Sequence, residues 1–575
     1  MALGEKRNVT RNWGKITQVS WTDWTAQDTY YGMNHSFQYA ANINCDDEMH
    51  WLKLATKAVF TEHYAQCQLT SVWELGVVAL NVTWASKPIW FDENNFLDGW
   101  SAEWEIPQPD TKFSICPGVV FQDYFWYWAK WTGDEAMMCA VRINWSTQDT
   151  YLMKPFDHPE ATDESIITPS TAGPMLWAVT AILNYNNSRL VVACWSDVWV
   201  YYPELDLNSP ILHPGQQDLN HNGETWWKKV WTYEVWVVII WLTCSFEYLK
   251  VWAVDEWWNT KVYYYQGNNN LRNTFVYNVV DLSWVRVTRV YSINGIDYYV
   301  SSLDWSDGFV NLYKLVWNTP VQLFKQRAWL SVLDINSKAP YFVWPVWLNA
   351  AYAQWRFYIA DAYGLFQFTY NPEWYDPWYM KRRLDNSNDD FPHQVYWVCE
   401  NKWFLYVSTK KWCYIMRVID TGKPPVPGWT EWFQSDGVLI SREYEGPEGW
   451  TYTKMLDQVR LNYELNPLTD YNGEIDIYVS PNNIWEGTDP ENDDWWYHVM
   501  HIDQENIGTR TERTTLINDL GEDAKSAFKF DRQTITYAIV LTRWTEKKAT
   551  PIVRQIDMLY HCKDKINNVY DINNN

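Results

Sequence analysis

Between Val285 and Lys314 apolar and polar positions fall into three short runs separated by turn residues, which predicts three consecutive antiparallel strands. Val285, Val287 and Val290 belong to a β-branched run that stops at Ser292-Ile293-Asn294-Gly295. Asn-Gly predicts a type I′ hairpin, because both residues tolerate the positive φ that the turn requires. The second run, Ile296 to Leu303, ends at Trp305-Ser306-Asp307-Gly308, and in the third Phe309, Asn311, Tyr313 and Leu315 share one face. A meander this short cannot bury its own faces and needs neighbours of the same kind.

The same pattern of strand, polar tip, strand, turn and aromatic strand recurs along the chain. It is found at Pro174–Tyr202, with tip Asn184-Tyr185-Asn186-Asn187, at Val235–Tyr265, at Tyr341–Tyr370 and at Val395–Val418. Weaker copies lie near Leu69–Phe91 and Val119–Ile143. About seven units at a spacing of roughly 50–60 residues predict a β-propeller. Long polar segments (Asp92–Lys112, Trp145–Ala172, Pro203–Glu224 and Asn371–Phe391) read as solvent-facing loops between blades. The run Gly437–Ser441 is a candidate to complete the last blade, and pairing of early with late strands is expected to close the ring.

The texture changes near residue 446. Met455–Leu465, Gly473–Val479, Trp495–Ile502, Thr534–Thr542 and Ile552–Tyr560 read as strands without helical periodicity. They predict a jelly-roll-like β-sandwich. The expected organisation is therefore all-β: an N-terminal segment over 1–60, a propeller over 61–445, a sandwich over 446–565 and a polar tail over 566–575.

Composition sharpens this picture in two ways. A net charge of −24 opposes a nucleic-acid partner, which needs stripes of Lys and Arg. It favours solubility and controlled assembly instead. The 43 Trp residues are several times ordinary usage and occupy tips and linkers as well as strands, so a Trp-rich binding surface is one expectation. Nine Cys without a CxxC match no zinc template and read as small buried apolar residues. The N-terminus carries no apolar signal segment. Val235–Cys244, the longest apolar run, is about half a membrane span and fits a buried strand. A soluble chain with no membrane span is expected.

Candidate chemistry is sparse. Asp218, Asn220, Asn222 and Glu224 match the first half of a calcium loop, but Lys229 stands where the closing bidentate Glu belongs. They are a weak cation site, with a plain Asx-turn loop as the main alternative. His498 and His501, three apart in an expected strand, should point to opposite faces and hold no zinc. Asp197, Asp304, Asp307 and Asp361 sit at similar turns before third strands, which favours turn capping over catalysis. A serine elbow, phosphate-binding glycine motifs and a recurring sialidase box are absent from the sequence. The expectation is a protein without cofactor or enzymatic activity.

Asn34–Asn44 followed by Trp51–Ala58 resembles the opening phrases of propeller-bearing structural proteins of tailed-phage virions. Gly473–Val479, Phe528–Leu541 and the closing Thr550–Tyr560 resemble the sandwich phrases of the same proteins. The resemblance implies an oligomeric component of a tail, collar or adsorption apparatus, located in the virion and assembled in the host cytoplasm. Its implied partners are copies of itself and other virion proteins. A carbohydrate- or receptor-binding propeller, taking host-surface glycan on aromatic blade tips, is the alternative.

Overall fold

The computed structural model describes residues 12–18, 37–45, 51–81, 89–98, 102–103, 118–122, 124–130, 136–142, 179–202, 227–234, 236–245, 248–255, 259–267, 271, 274–282, 285–303, 309–316, 318–327, 350–354, 356–361, 364–369, 378–383, 395–409, 411–441, 444, 452–465, 473–480, 490–491, 496–503, 512–516, 535–544 and 548–565. Every named element among them is a β-strand. The chain begins with β1 (Asn12–Gln18), β2 (Phe37–Ala41), β3 (Ile43–Asn44), β4 (Leu52–Leu54) and β5 (Val59–Thr61). Seven antiparallel blades follow.

Blade one is β6 (Cys67–Val72), β7 (Gly76–Asn81), β8 (Ile89–Phe91) and β9 (Ala102–Glu103). Blade two is β10 (Val119–Phe121), β11 (Tyr124–Lys130) and β12 (Ala136–Arg142). Blade three is β13 (Val179–Tyr185), β14 (Arg189–Cys194), β15 (Asp197–Tyr201) and β16 (Trp227–Thr232). Blade four is β17 (Val238–Ser245), β18 (Tyr248–Val254), β19 (Thr260–Gly267) and β20 (Thr274–Leu282). Blade five is β21 (Val285–Ile293), β22 (Ile296–Leu303), β23 (Phe309–Val316) and β24 (Thr319–Arg327). Blade six is β25 (Ala350–Ala353), β26 (Arg356–Asp361), β27 (Gly364–Thr369) and β28 (Trp378–Arg383). Blade seven holds β29 (Val395–Asn401), β30 (Phe404–Thr409) and β31 (Cys413–Arg417).

The first strand of each blade is its inner one. β6 lies against β10, β10 against β13, β13 against β17, β17 against β21, β25 against β29, and β29 returns to β6. Tyr298, Val300 and Leu312 of blade five pack on Phe357 of blade six, so the ring is continuous. The fourth strand of blade seven is β5, with Thr61, Phe60 and Val59 paired to Cys413, Tyr414 and Ile415. An early strand thereby seals the last blade, the pairing expected of a closed ring. Tyr64, just after β5, stacks on Phe91 of blade one at 3.9 Å between ring centroids, extending the seal to the next blade.

Local rules account for the hairpins. Asn294 (φ 50°) and Gly295 (φ 80°) join β21 to β22 in the left-handed conformation that Asn-Gly predicts. Asn186 and Asn187 do the same at the blade-three tip. Two of the segments read as loops carry strands instead: β9 lies within Asp92–Lys112 and β28 within Asn371–Phe391. Outer strands are wetted on at least one side and need no continuous apolar pattern, so alternation alone did not reveal them.

The remaining strands are β32 (Asp436–Ser441), β33 (Tyr452–Glu464), β34 (Gly473–Ser480), β35 (Tyr497–Ile502), β36 (Glu512–Leu516), β37 (Thr536–Arg543) and β38 (Ile552–Lys565). One sandwich sheet runs β3-β4-β38-β33-β36, with β1 also on β38. The other runs β2-β32-β37-β34-β35. Val459, Leu461, Ile556 and Met558 from the first meet Leu439, Ile475, Ile477, Ile539 and Leu541 from the second in one core. Gly437–Ser441 therefore does not complete a blade. As part of β32 it pairs with β2 and β37, and at Gly437 an added Cβ would stand 2.7 Å from the Asn42 carbonyl oxygen. β1 to β4 are likewise sandwich strands rather than a separate segment.

The two bodies are joined by main chain and by buried polar groups. β2 also pairs with β28 of blade six through Ala41 and Lys381, which makes the blade continuous with a sandwich sheet. The Asp420 carboxylate, buried after blade seven, accepts hydrogen bonds from the Thr56 backbone N–H (2.8 Å), the Thr56 hydroxyl and the Gly422 N–H (3.0 Å).

Candidate functional site

The most concentrated chemistry among the described residues lies on the outer face of the sandwich. In β34, Ile475, Ile477 and Val479 enter the core, so the intervening Asp476 and Tyr478 face outward. Asp476 pairs with His501 of β35, and Ile477 with Met500, but Tyr478 pairs with His498. One extra residue, Val499, is thus accommodated by a β-bulge, and Val499 and Met500 are buried in succession. The bulge reverses the side-chain parity and brings His498 and His501 to the same face. The opposite-face expectation is corrected: strict alternation holds only for an unbulged strand.

Both imidazoles converge on one oxygen. His498 Nε2 lies 2.7 Å and His501 Nδ1 2.8 Å from Asp476 Oδ1. His501 Nε2 faces Asp503 Oδ2 at 3.3 Å, and the Arg513 guanidinium donates to the His501 carbonyl at 2.5 Å. Burial alone would raise the Asp476 carboxyl, but hydrogen bonds and charge from the two histidines outweigh it and hold it below the usual range. Desolvation pulls His501 down, and Asp476 and Asp503 together push it above the ordinary imidazole value. Glu474, on the same face, is raised by burial. The three donors offer two nitrogens and an oxygen to a common point, a set suited to a divalent transition metal.

A second arrangement lies where inner propeller strands converge. The Arg289 guanidinium of β21 sits 5.0 Å from the Trp241 ring of β17, 5.2 Å from Tyr291 and 5.7 Å from Trp397 of β29. Aromatic faces on three inner strands hold one cation between blades four, five and seven. Its Nε and Nη1 are buried without a hydrogen-bond acceptor.

Two features face outward. On β20, the outer strand of blade four, Phe275 and Tyr277 are each 60% exposed, Val276 45% and Val279 46%. Asn278 is linked to Asn318 of blade five at 2.8 Å, and exposed Val321 of β24 extends the apolar surface. Exposed Trp73 and Trp403 occupy equivalent first hairpins of neighbouring blades one and seven. Asn401 joins those hairpins by donating to the carbonyls of Trp73 (2.6 Å) and Gly76 (2.9 Å).

Of the sequence-predicted residues, Asp218, Asn220, Asn222 and Glu224 lie outside the described residues, as do Asp304 and Asp307. Asp197 opens β15 and pairs with Lys229 at 3.4 Å, a structural role. Cys45, Cys67, Cys194, Cys399 and Cys413 are buried, and burial pushes the Cys67 thiol up to about 12. The Asp476 cluster was not foreseen. The signal that could have found it is the pair Val499-Met500, two apolar residues between histidines in an otherwise alternating strand.

No family model and no curated protein matches this chain. Among solved structures it is similar to a putative 6-phosphogluconolactonase from Bacteroides fragilis, at 10% identity and a TM-score of 0.32, over 66% of this chain and 92% of that one. It is similar also to an exo-β-1,3-galactanase from Phanerochaete chrysosporium, at 9% identity and a TM-score of 0.24, over 77% and 94%. A third is the AfRom2 CNH domain, at 11% identity and a TM-score of 0.28, over 57% and 91%. The strand pairing itself carries the all-β propeller assignment. Among the described residues no helix is long and apolar enough to cross a membrane.

Proposed function

We propose that this chain is a structural protein of a tailed-phage virion, an assembly component of the tail, collar or adsorption apparatus. The supporting observation is β20. Among the described residues it ends its sheet, and no described strand lies along its outer row of backbone N–H and C=O groups. Thr274 to Val280 contains no charge, in a chain whose net charge is −24. An uncharged, aromatic outer strand is a surface that solitary proteins usually protect, and a second strand can add to it. The occupant in this reading is the β20 edge of another copy, antiparallel across a two-fold axis. The bulge at Tyr277 sets the register in which the edges meet. Peptide mass spectrometry of purified particles tests the assignment. Peptides of this chain should accompany capsid and portal peptides at stoichiometric abundance, and their absence would reject it.

A second reading has its own observation. Trp73 and Trp403, exposed on neighbouring blade tips, are suited to stack on the C–H faces of a saccharide. The carbohydrate-binding alternative predicts that Trp403→Ala weakens glycan-array binding. Unchanged binding, or none by the parent chain, removes that reading.

A further inference from the structure

We propose that Asp476, His498 and His501 form an open three-ligand site for a divalent metal ion of the zinc class. The inference is independent of the virion assignment and rests on geometry. The three ligand atoms lie within 4.8 Å of one another, with both ring nitrogens already at 2.7 and 2.8 Å from Asp476 Oδ1. Zinc bonds of about 2.0–2.2 Å in tetrahedral array place neighbouring ligand atoms about 3.3 Å apart. Seating an ion requires the two His–Asp pairs to open by roughly half an ångström and the two ring nitrogens, within 4.8 Å of each other, to settle at about the tetrahedral spacing, all within the reach of side-chain torsions.

The surroundings match those of a ligating histidine. A metal-bound imidazole keeps a proton on its far nitrogen and donates it to an orienting group, commonly a carboxylate. His501 turns Nδ1 to the cluster and Nε2 to Asp503, at 3.3 Å. The β35 bulge supplies the register that aligns both histidines with Asp476, and Arg513 holds the His501 carbonyl beside them.

The side chains of His498 and His501 are 46% and 37% exposed, so the remaining coordination position faces solvent and takes water. Among the described residues β35 is the terminal strand of its sheet. An ion bound by β34 and β35 together would staple that edge in place. The competing arrangement is a metal-free ion cluster in which both protonated imidazoles donate to Asp476. It has the same contacts and no affinity for zinc.

The test is calorimetric titration of the chelator-treated full chain with zinc chloride, paired with cobalt(II) absorption spectroscopy. The metal site predicts one ion per chain, a visible cobalt band of low-coordinate type and a higher melting temperature with zinc. His498→Gln, at an exposed position, should weaken binding at least tenfold and abolish the thermal shift. Asp503→Asn should weaken it by about 10–100-fold while the cobalt band survives. Lack of saturable binding, a cobalt spectrum like that of the aqueous ion, or affinity in His498→Gln and His501→Gln equal to that of the parent chain would each overturn the proposal. The cobalt spectrum of the parent chain decides the matter even if a variant fails to fold.

Discussion

Lys250 and Asp297 join the second strands of blades four and five, their charged atoms 2.5 Å apart and their side chains 5% and 1% exposed. The ammonium also lies 5.2 Å from the Tyr264 ring centroid. Burial pushes the Asp297 carboxyl above its ordinary value, against the pull of Lys250. Lys250→Met leaves that carboxylate uncompensated and should cost about 3–5 kcal/mol in urea unfolding. Adding Asp297→Leu should restore most of the loss, since a buried pair replaced as a unit is close to neutral. The sign with pH follows from the raised folded value. Below the unfolded value of 3.8 the carboxyl is neutral in both states, so the penalty of Lys250→Met is small there. It should grow as pH rises toward neutrality, and a penalty that shrinks over that range would contradict this account. Single residues were legible where backbone conformation dictates identity, as at Asn294-Gly295. They were not legible where a bulge changed the parity, as at His498 and His501.

At the scale of elements, inner strands such as β14, β18 and β30 could be read from the sequence because they are buried and carry the apolar pattern. Strands such as β9 and β28 could not, since they lie within stretches rich in Asp, Asn, Glu and Pro that read as loops. The partner of β31 was hidden for another reason. β5 has three residues, and its pairing spans more than three hundred positions of sequence. Its buried Val59 packs with Tyr406, Cys413 and Ile415. Val59→Asp places an unpaired charge there and should detach the seal. Hydrogen exchange should then rise in β29–β31 and β6 while the β34–β37 core keeps its protection. Equal protection in blade seven would show that β5 contributes little to closure.

The molecule as a whole is a ring and a sandwich, with the chain passing between them both before β5 and after β31. Strands β1–β4 enter the sandwich and β5 closes the propeller, so neither body can be cut away at a single linker. Sequence texture placed a boundary near 446 because the repeat ends there. It could not show that the sandwich also recruits β1 to β4, since strand partners distant in sequence leave no local pattern. In the proposed assembly role, β20 is the strand of this frame that meets a second copy. Sedimentation velocity of the purified chain against the double substitution Val276→Lys and Tyr277→Lys tests that claim most directly. The account predicts concentration-dependent dimers for the parent and monomers for the variant at equal thermal stability. A parent that stays monomeric at all concentrations, or a variant that associates equally well, would contradict it.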